Sequence, residues 1–133
     1  MKTQYKIAGI EIRRSIGRGR GVFATKSFKK DEIIEISPIV CFDGGDADLI
    51  SCTKLGRYIF SLDANCSAMA LGYASLYNHS SQMFNCEWAL NSKVIVITAT
   101  IPIKKGEELL FNYGWDNETL IDAGIKPDQV EDD

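Results

Sequence analysis

A chain of 133 residues, 45% of them hydrophobic, is long enough to bury one core and too short for two ordinary domains, so a single domain over 1–133 is the expectation. The formal net charge of −3 and the acidic end, DQVEDD, argue against nucleic-acid binding through an overall basic surface; they fit an ordinary solvated surface first and are compatible with a basic peptide as partner. No stretch approaches about 18 uninterrupted apolar residues, and the opening MKTQYKIAGIEIRR lacks an apolar run; the sequence predicts no membrane span, no secretory leader and a soluble, intracellular protein.

In chain order, YKIAGIEIRR alternates apolar and polar residues around Gly9, which predicts two short strands or one bent strand. SIGRGRG reads as a glycine loop, and GVFATKSF resumes an extended pattern. KKDE is a turn leading into IIEISPIV, a β-branched strand. FDGGDADLI carries a loop signal at Gly44 and Gly45, and LGRYIFSL is compatible with a strand or an irregular segment. SAMALGYASLY has helical spacing at Met69, Tyr73, Leu76 and Tyr77, with Asn65 or Ser67 available as cap, and predicts a short helix.

CEWAL and KVIVITA flank Asn91 and Ser92 as a hairpin, and IPIKKGEELLFNYG reads as strand, turn at Lys105 and Gly106, and strand. WDNETLIDAGIKPDQVEDD predicts one helical turn before the acidic tail. The fold class is therefore mostly β, many short strands with one short helix. Four cysteines, at 41, 52, 66 and 86, are irregularly spaced, with no CxxC pair and one histidine beside them; the expectation is no metal site and four buried thiols.

Two stretches invite chemistry. GRGRG, Gly17 to Gly21, suggests a phosphate loop, but a dinucleotide fingerprint needs a helix after the glycines and a strand pattern follows here. A plain turn, or a loop whose bare backbone lets a ligand approach, are the readings left open. LYNHSSQMFN holds the chain's single histidine, His79. With no second His and no acid partner in evidence, it reads alone as a structural hydrogen-bonding residue, and Tyr113 of ELLFNYG reads alone as a packed aromatic.

Taken in order, GRGVFATKSFKKDEII, SAMALGYASLYNHS and GEELLFNYGWD resemble the SET-domain protein lysine methyltransferases, most of all their minimal viral members, over about Ser15 to Asp116. The resemblance implies a SET-domain fold of small sheets and short strands, in which the NHS loop and the C-terminal strand meet through a knot-like threading. It implies methyl transfer from S-adenosyl-L-methionine to a lysine of a histone or histone-like basic tail, histone H3 among them. Nuclear or chromatin location follows for a eukaryotic or viral source, cytoplasmic for a bacterial one.

The resemblance also implies roles. Gly19, Arg20 and Gly21 match the GxG that holds the cofactor by its backbone, and Asn78 and His79 match the pair that contacts it, the His79 ring tying its loop to the C-terminal strand. Tyr113 matches the catalytic tyrosine, and Tyr58 of RYIFS stands where the viral members have an active-site tyrosine. Phe111 falls at the position where Phe or Tyr sets how many methyl groups are added; with Tyr58 and Trp88 it is assigned to the lysine channel, and Trp115 to the adenine or to packing of the tail.

NHSSQMFN departs from the family's NHSCxPN by Ser81 for Cys, a missing proline and one extra residue before Asn85, which leaves the course of 80–85 and the role of Asn85 open. The family's flanking cysteine-rich segments have no counterpart, so residues 115–127 or a second subunit, as a homodimer, would complete the channel. A silent module that binds a peptide, and a methyltransferase of a non-histone protein, are the alternative readings.

Overall fold

The computed structural model describes residues 5–63, 65–114, 117–122 and 125. Two sheets carry the fold. The first has the order β1-β2-β9-β6, with β1 at Ile10–Ser15, β2 at Gly19–Ala24, β6 at Asn78–His79 and β9 at Glu108–Phe111. The second has the order β4-β5-β3-β8-β7, with β3 at Ile33–Asp43, β4 at Ile59–Asp63, β5 at Cys66–Ala70, β7 at Cys86–Asn91 and β8 at Val94–Ala99. All its pairings are antiparallel. The mostly β expectation holds.

The β-branched run after KKDE forms β3, and its length has a use. Its first half, Ile33 to Pro38, pairs with β8, and its second half, Ile39 to Asp43, pairs with β5. Pro38, which has no N–H to give a ladder, sits where the strand changes partner, the position at which a central strand tolerates it. Inward residues Ile34, Ile95, Ile97, Val22, Leu109 and Tyr77 form the core where the two sheets meet.

Three expectations are corrected. SAMALGYASLY is not a helix. Its first part is β5, because the free edges of β3 and β4 take it up and its small buried residues Ser67, Ala68 and Ala70 suit a crowded sheet centre. The chain then bends at residues 71–73, where Ser37 Oγ accepts from Gly72 N–H at 2.8 Å and Glu35 accepts from Tyr73 N–H at 2.6 Å. What remains helical is one 3-10 turn, Ala74–Leu76. Side-chain acceptors from β3 thus override the local spacing.

FDGGDADLI, expected as a loop, contains α1 at Gly44–Ser51, started by Asp43, whose carboxylate accepts from Asp46 N–H at 3.0 Å. A 3-10 helix, Lys54–Tyr58, follows and delivers the chain to β4. The cysteine expectation also fails in part: Cys86 is buried, Cys66 half-buried, and Cys41 and Cys52 are exposed, because β3 beyond Pro38 and the end of α1 turn toward solvent. Elsewhere the sequence reading needs small shifts. The β7–β8 turn is Ser92 and Lys93, Ile103 makes one bridge to Phe28 in place of a strand, and the expected C-terminal helical turn is α2 at Asn117–Asp122.

Candidate active site

The NHS segment and the C-terminal strand do come together. β6 lies parallel to β9, with Asn78 opposite Leu110 and His79 opposite Phe111, and β9 also pairs antiparallel with β2, so GRG, NHS and ELLFNYG share one sheet. Gly19 opens β2 with φ +83, a conformation only glycine adopts without strain, and a Cβ there would meet nothing within 4 Å, so open space lies over this backbone.

Gly21 is glycine for a different reason. A Cβ at Gly21 would collide with the Glu108 carboxylate and stand 2.7 Å from Asn78 Nδ2. Asn78 Nδ2 donates to Glu108 at 2.7 Å and to the Arg20 carbonyl at 2.9 Å; Glu108 also accepts from Ser15 Oγ at 2.8 Å and pairs with Arg18 at 3.3 Å. Glu108 is therefore the knot that fastens the glycine hairpin to β6. Gly21→Ala is expected to lower stability by about 1–3 kcal/mol through overpacking, read as a shifted denaturant midpoint.

His79 is 4% exposed, and its Nδ1 accepts from Tyr113 N–H at 3.0 Å while the two rings lie 5.0 Å apart. A nitrogen that accepts is unprotonated, so the neutral ring carries its proton on Nε2. The imidazole fixes the backbone on which Tyr113 stands, as the reading of a ring tie expects. Tyr113 in turn donates its hydroxyl to the Tyr77 carbonyl at 2.6 Å. Burial, partly opposed by Arg57, pushes its phenol up to about 12, so it stays protonated at neutral pH and is no base.

Around Tyr113 lie two concavities. One, about 300 Å³, is walled by aromatic rings: Tyr58, Phe60, Tyr77, Trp88, Phe111 and Tyr113. Phe111 is buried and stacks on Tyr77 at 5.3 Å, and Trp88 meets Phe60 edge-on at 4.8 Å. The other, about 450 Å³, is polar and lined by Arg18, Gly19, Arg20, Leu76 and Asn78. Both are also lined by Arg57, Tyr58, Ser75, Tyr77 and Tyr113, which form the partition between them. Of the residues singled out from sequence, Gly19, Arg20 and Asn78 line the polar side, Trp88 and Phe111 the aromatic side, and Tyr58 and Tyr113 the partition. Gly21 and His79 brace from behind, and Trp115 lies outside the described residues.

Two residues that shape the candidate site were missed, Glu108 and Glu35, and the role left open for Asn85 can now be described. Asn85 closes the 80–85 loop by giving its side chain to β9, its Nδ2 donating to the Glu108 carbonyl and its Oδ1 accepting from Leu110 N–H, each at 2.9 Å. The extra residue is absorbed in the bend before it, where Met83 N–H donates to Ser80 Oγ and the Met83 side chain is exposed. Glu35, fully buried, accepts from Tyr77 Oη at 2.9 Å beneath the aromatic wall.

With this geometry in view, comparison with known proteins is direct. The family model described as SET domain matches residues 19–114. A histone-lysine N-methyltransferase of Schizosaccharomyces pombe, specific for H3 lysine-37, is 29% identical over 131 residues, covering 93% of this chain and 88% of its own length. The N-lysine methyltransferase KMT5A-A of Xenopus laevis is 29% identical over 136 residues; these span 89% of this chain and 40% of that protein. Among solved structures, a candidate histone methyltransferase of Plasmodium falciparum superposes with a TM-score of 0.66 at 33% identity, covering 81% of this chain and 95% of that one. CpSET8 of Cryptosporidium, at 21% identity, shares the fold, with a TM-score of 0.63 over 81% of this chain and 58% of its own.

Proposed function

The chain belongs to the SET-domain family and is a protein-lysine methyltransferase, and we propose that it carries a methyl group from S-adenosylmethionine, held at the polar concavity, to a histone lysine entering by the aromatic one. The observation that carries this reading is the shared partition: two concavities of opposite character meet at Tyr58, Tyr77 and Tyr113. In-line transfer between two molecules needs donor and acceptor to approach one point from opposite sides.

The polar side fits the cofactor. Gly19 leaves room for a ligand to lie against the backbone, Arg20 offers positive charge for a carboxylate, and Asn78 completes the lining. These residues would hold the cofactor, which supplies an electrophilic methyl on a positively charged sulfur.

On the acceptor side, a lysine amine with an ordinary pKa of about 10.4 attacks only when neutral. An amine seated among these rings gives up part of its hydration, which disfavours the ammonium form, so no resident base is required. The Tyr113 hydroxyl, its proton engaged by the Tyr77 carbonyl, turns lone pairs toward the partition and orients the amine. Phe111 fills the inner end with ring alone, which leaves space for an amine that already bears methyl groups. Phe111→Tyr is expected to shift products toward monomethyl-lysine, read by mass spectrometry of the peptide; an unchanged distribution would remove Phe111 from this role.

The proposal extends to chromatin as the site of action, since the substrate lies there, and to a homodimer that covers the aromatic concavity. Its test is incubation of the protein with labelled S-adenosylmethionine and histone octamers, nucleosomes and isolated H3. Label on one lysine is the expected result. Calorimetric cofactor binding without label on any histone would turn the reading to a non-histone substrate or to a binding module.

A further inference from the structure

We infer that Arg57 sets the charge of the incoming amine: its guanidinium stands on the partition and favours the neutral, nucleophilic form of the substrate lysine. The inference rests on the methyl-transfer reading and adds to it a residue that neither the GxG, the NHS segment nor the ELLFNYG motif includes.

The 3-10 helix Lys54–Tyr58 brings Arg57 to the partition beside Tyr58, and Arg57 lines both concavities. Its guanidinium carbon lies 5.8 Å from the centre of the Tyr58 ring. Among the described residues it has no ion pair, whereas Arg18, on the same polar side, is paired with Glu108. Of the charges acting on Tyr113, that of Arg57 is the largest, so its field reaches the hydroxyl that the amine must approach.

The other charged and titratable groups facing this point do not cancel it. Glu108 is occupied by Ser15, Arg18 and Asn78. Glu35 lies on the far side of the Tyr77 ring, bonded to its hydroxyl. Tyr58, Tyr77 and Tyr113 are phenols, and Arg20 adds a second positive charge on the polar side. A lysine threaded through the aromatic walls therefore meets net positive charge.

A like charge disfavours the ammonium form. At a separation of about 8 Å and an effective dielectric of about 40, intermediate between protein and water, it lowers an amine's pKa by about half to one unit. Arg57 is exposed, so solvent screening holds the effect to that range. Because nearly all of the lysine is protonated at neutral pH, each such unit multiplies the reactive fraction about tenfold.

The test is the single-turnover rate at saturating peptide and cofactor against pH, from about 7 to about 11, which reports groups in the bound complex, for the wild type, Arg57→Gln and Arg57→Lys on one histone peptide, with cofactor affinity by calorimetry. Arg57→Gln is expected to run about 3- to 10-fold below wild type at neutral pH and to converge on it only as the pH passes the amine's own pKa of about 10.4, while Arg57→Lys overlays the wild type. A deficit of the same size at every pH, or weakened cofactor binding with an unshifted profile, would overturn the inference and leave Arg57 a positioning or cofactor residue. A wild-type chain that methylates no lysine would instead overturn the reading beneath it.

Discussion

Tyr113→Phe is expected to lower the rate of methyl transfer about 100-fold or more while the protein stays folded and keeps its cofactor affinity. The substitution removes one oxygen and nothing else. The ring would keep its contacts with His79 at 5.0 Å and Phe111 at 5.7 Å, and the backbone N–H would still donate to His79 Nδ1. Among the described residues, the hydrogen bond lost in the folded state is the one to the Tyr77 carbonyl, worth about 1 kcal/mol. What is lost in the transition state is the polar group at the partition, and 100-fold corresponds to about 2.7 kcal/mol. The gap between those two figures makes the experiment informative: a purely structural tyrosine would lose stability and rate together.

The pH dependence adds a second check. Since burial holds the Tyr113 phenol at about 12, the wild-type profile should show no limb from this group below about pH 11, and a rise with pH in that range belongs to the substrate amine. Single-turnover rates and thermal melts of wild type and variant, measured side by side, decide the matter. Near-normal turnover in Tyr113→Phe would remove the tyrosine from the chemistry.

How far the site could be read from sequence depended on how each residue gets its role. Gly19, Gly21, Asn78, His79 and Tyr113 were picked out because they stand in short motifs that resemble a known family; read alone, the glycines are a turn, His79 a structural residue and Tyr113 a packed aromatic. The motif is the written trace. Glu108 and Glu35 leave none, because their partners lie far off in the chain; Ser15 is 93 residues from Glu108, and Tyr77 is 42 from Glu35. A glutamate in a strand reads as solvated until the fold puts donors around it.

The same logic explains the failed helix. Met69, Tyr73, Leu76 and Tyr77 have helical spacing, yet β5 has two waiting strand edges and the bend after it has two waiting side-chain acceptors, and neither is visible in an eleven-residue stretch. The α1 helix fails in the opposite direction: paired glycines argue for a loop, but Asp43 caps the turn, and none of the helix's residues need be buried. What was legible was the placement of motifs; what was not was the tertiary hydrogen bonding that shapes the walls between them.

Glu35→Ala is expected to destabilise the protein by about 3 kcal/mol or more and to lower activity in the fraction that remains folded. Tyr77 Oη, inside the core, and Tyr73 N–H would each lose an acceptor, and each buried donor left unpaired costs about 1–3 kcal/mol. The loss reaches the chemistry because Tyr77 serves two purposes. Its ring stacks on Phe111 and its carbonyl holds Tyr113, so a Tyr77 that shifts takes the aromatic wall and the partition with it.

Burial raises the Glu35 carboxyl above its ordinary range, with the bonds from Tyr77 and Tyr73 opposing. A raised native value means that, between the ordinary pKa and the raised one, the folded protein holds a proton the unfolded chain has released. Stability from this group therefore falls as pH rises through that window and is level above it. Glu35→Gln cannot titrate, and its amide offers one acceptor where the carboxylate offers two, so it should be less stable than wild type and lack this slope. Denaturant unfolding of wild type, Glu35→Gln and Glu35→Ala from about pH 4 to about pH 8 measures both. The stability gap between wild type and Glu35→Gln should be widest at the acid end and narrow as pH rises; a gap that widens with pH would show that the two hydrogen bonds outweigh burial and hold the carboxylate ionised.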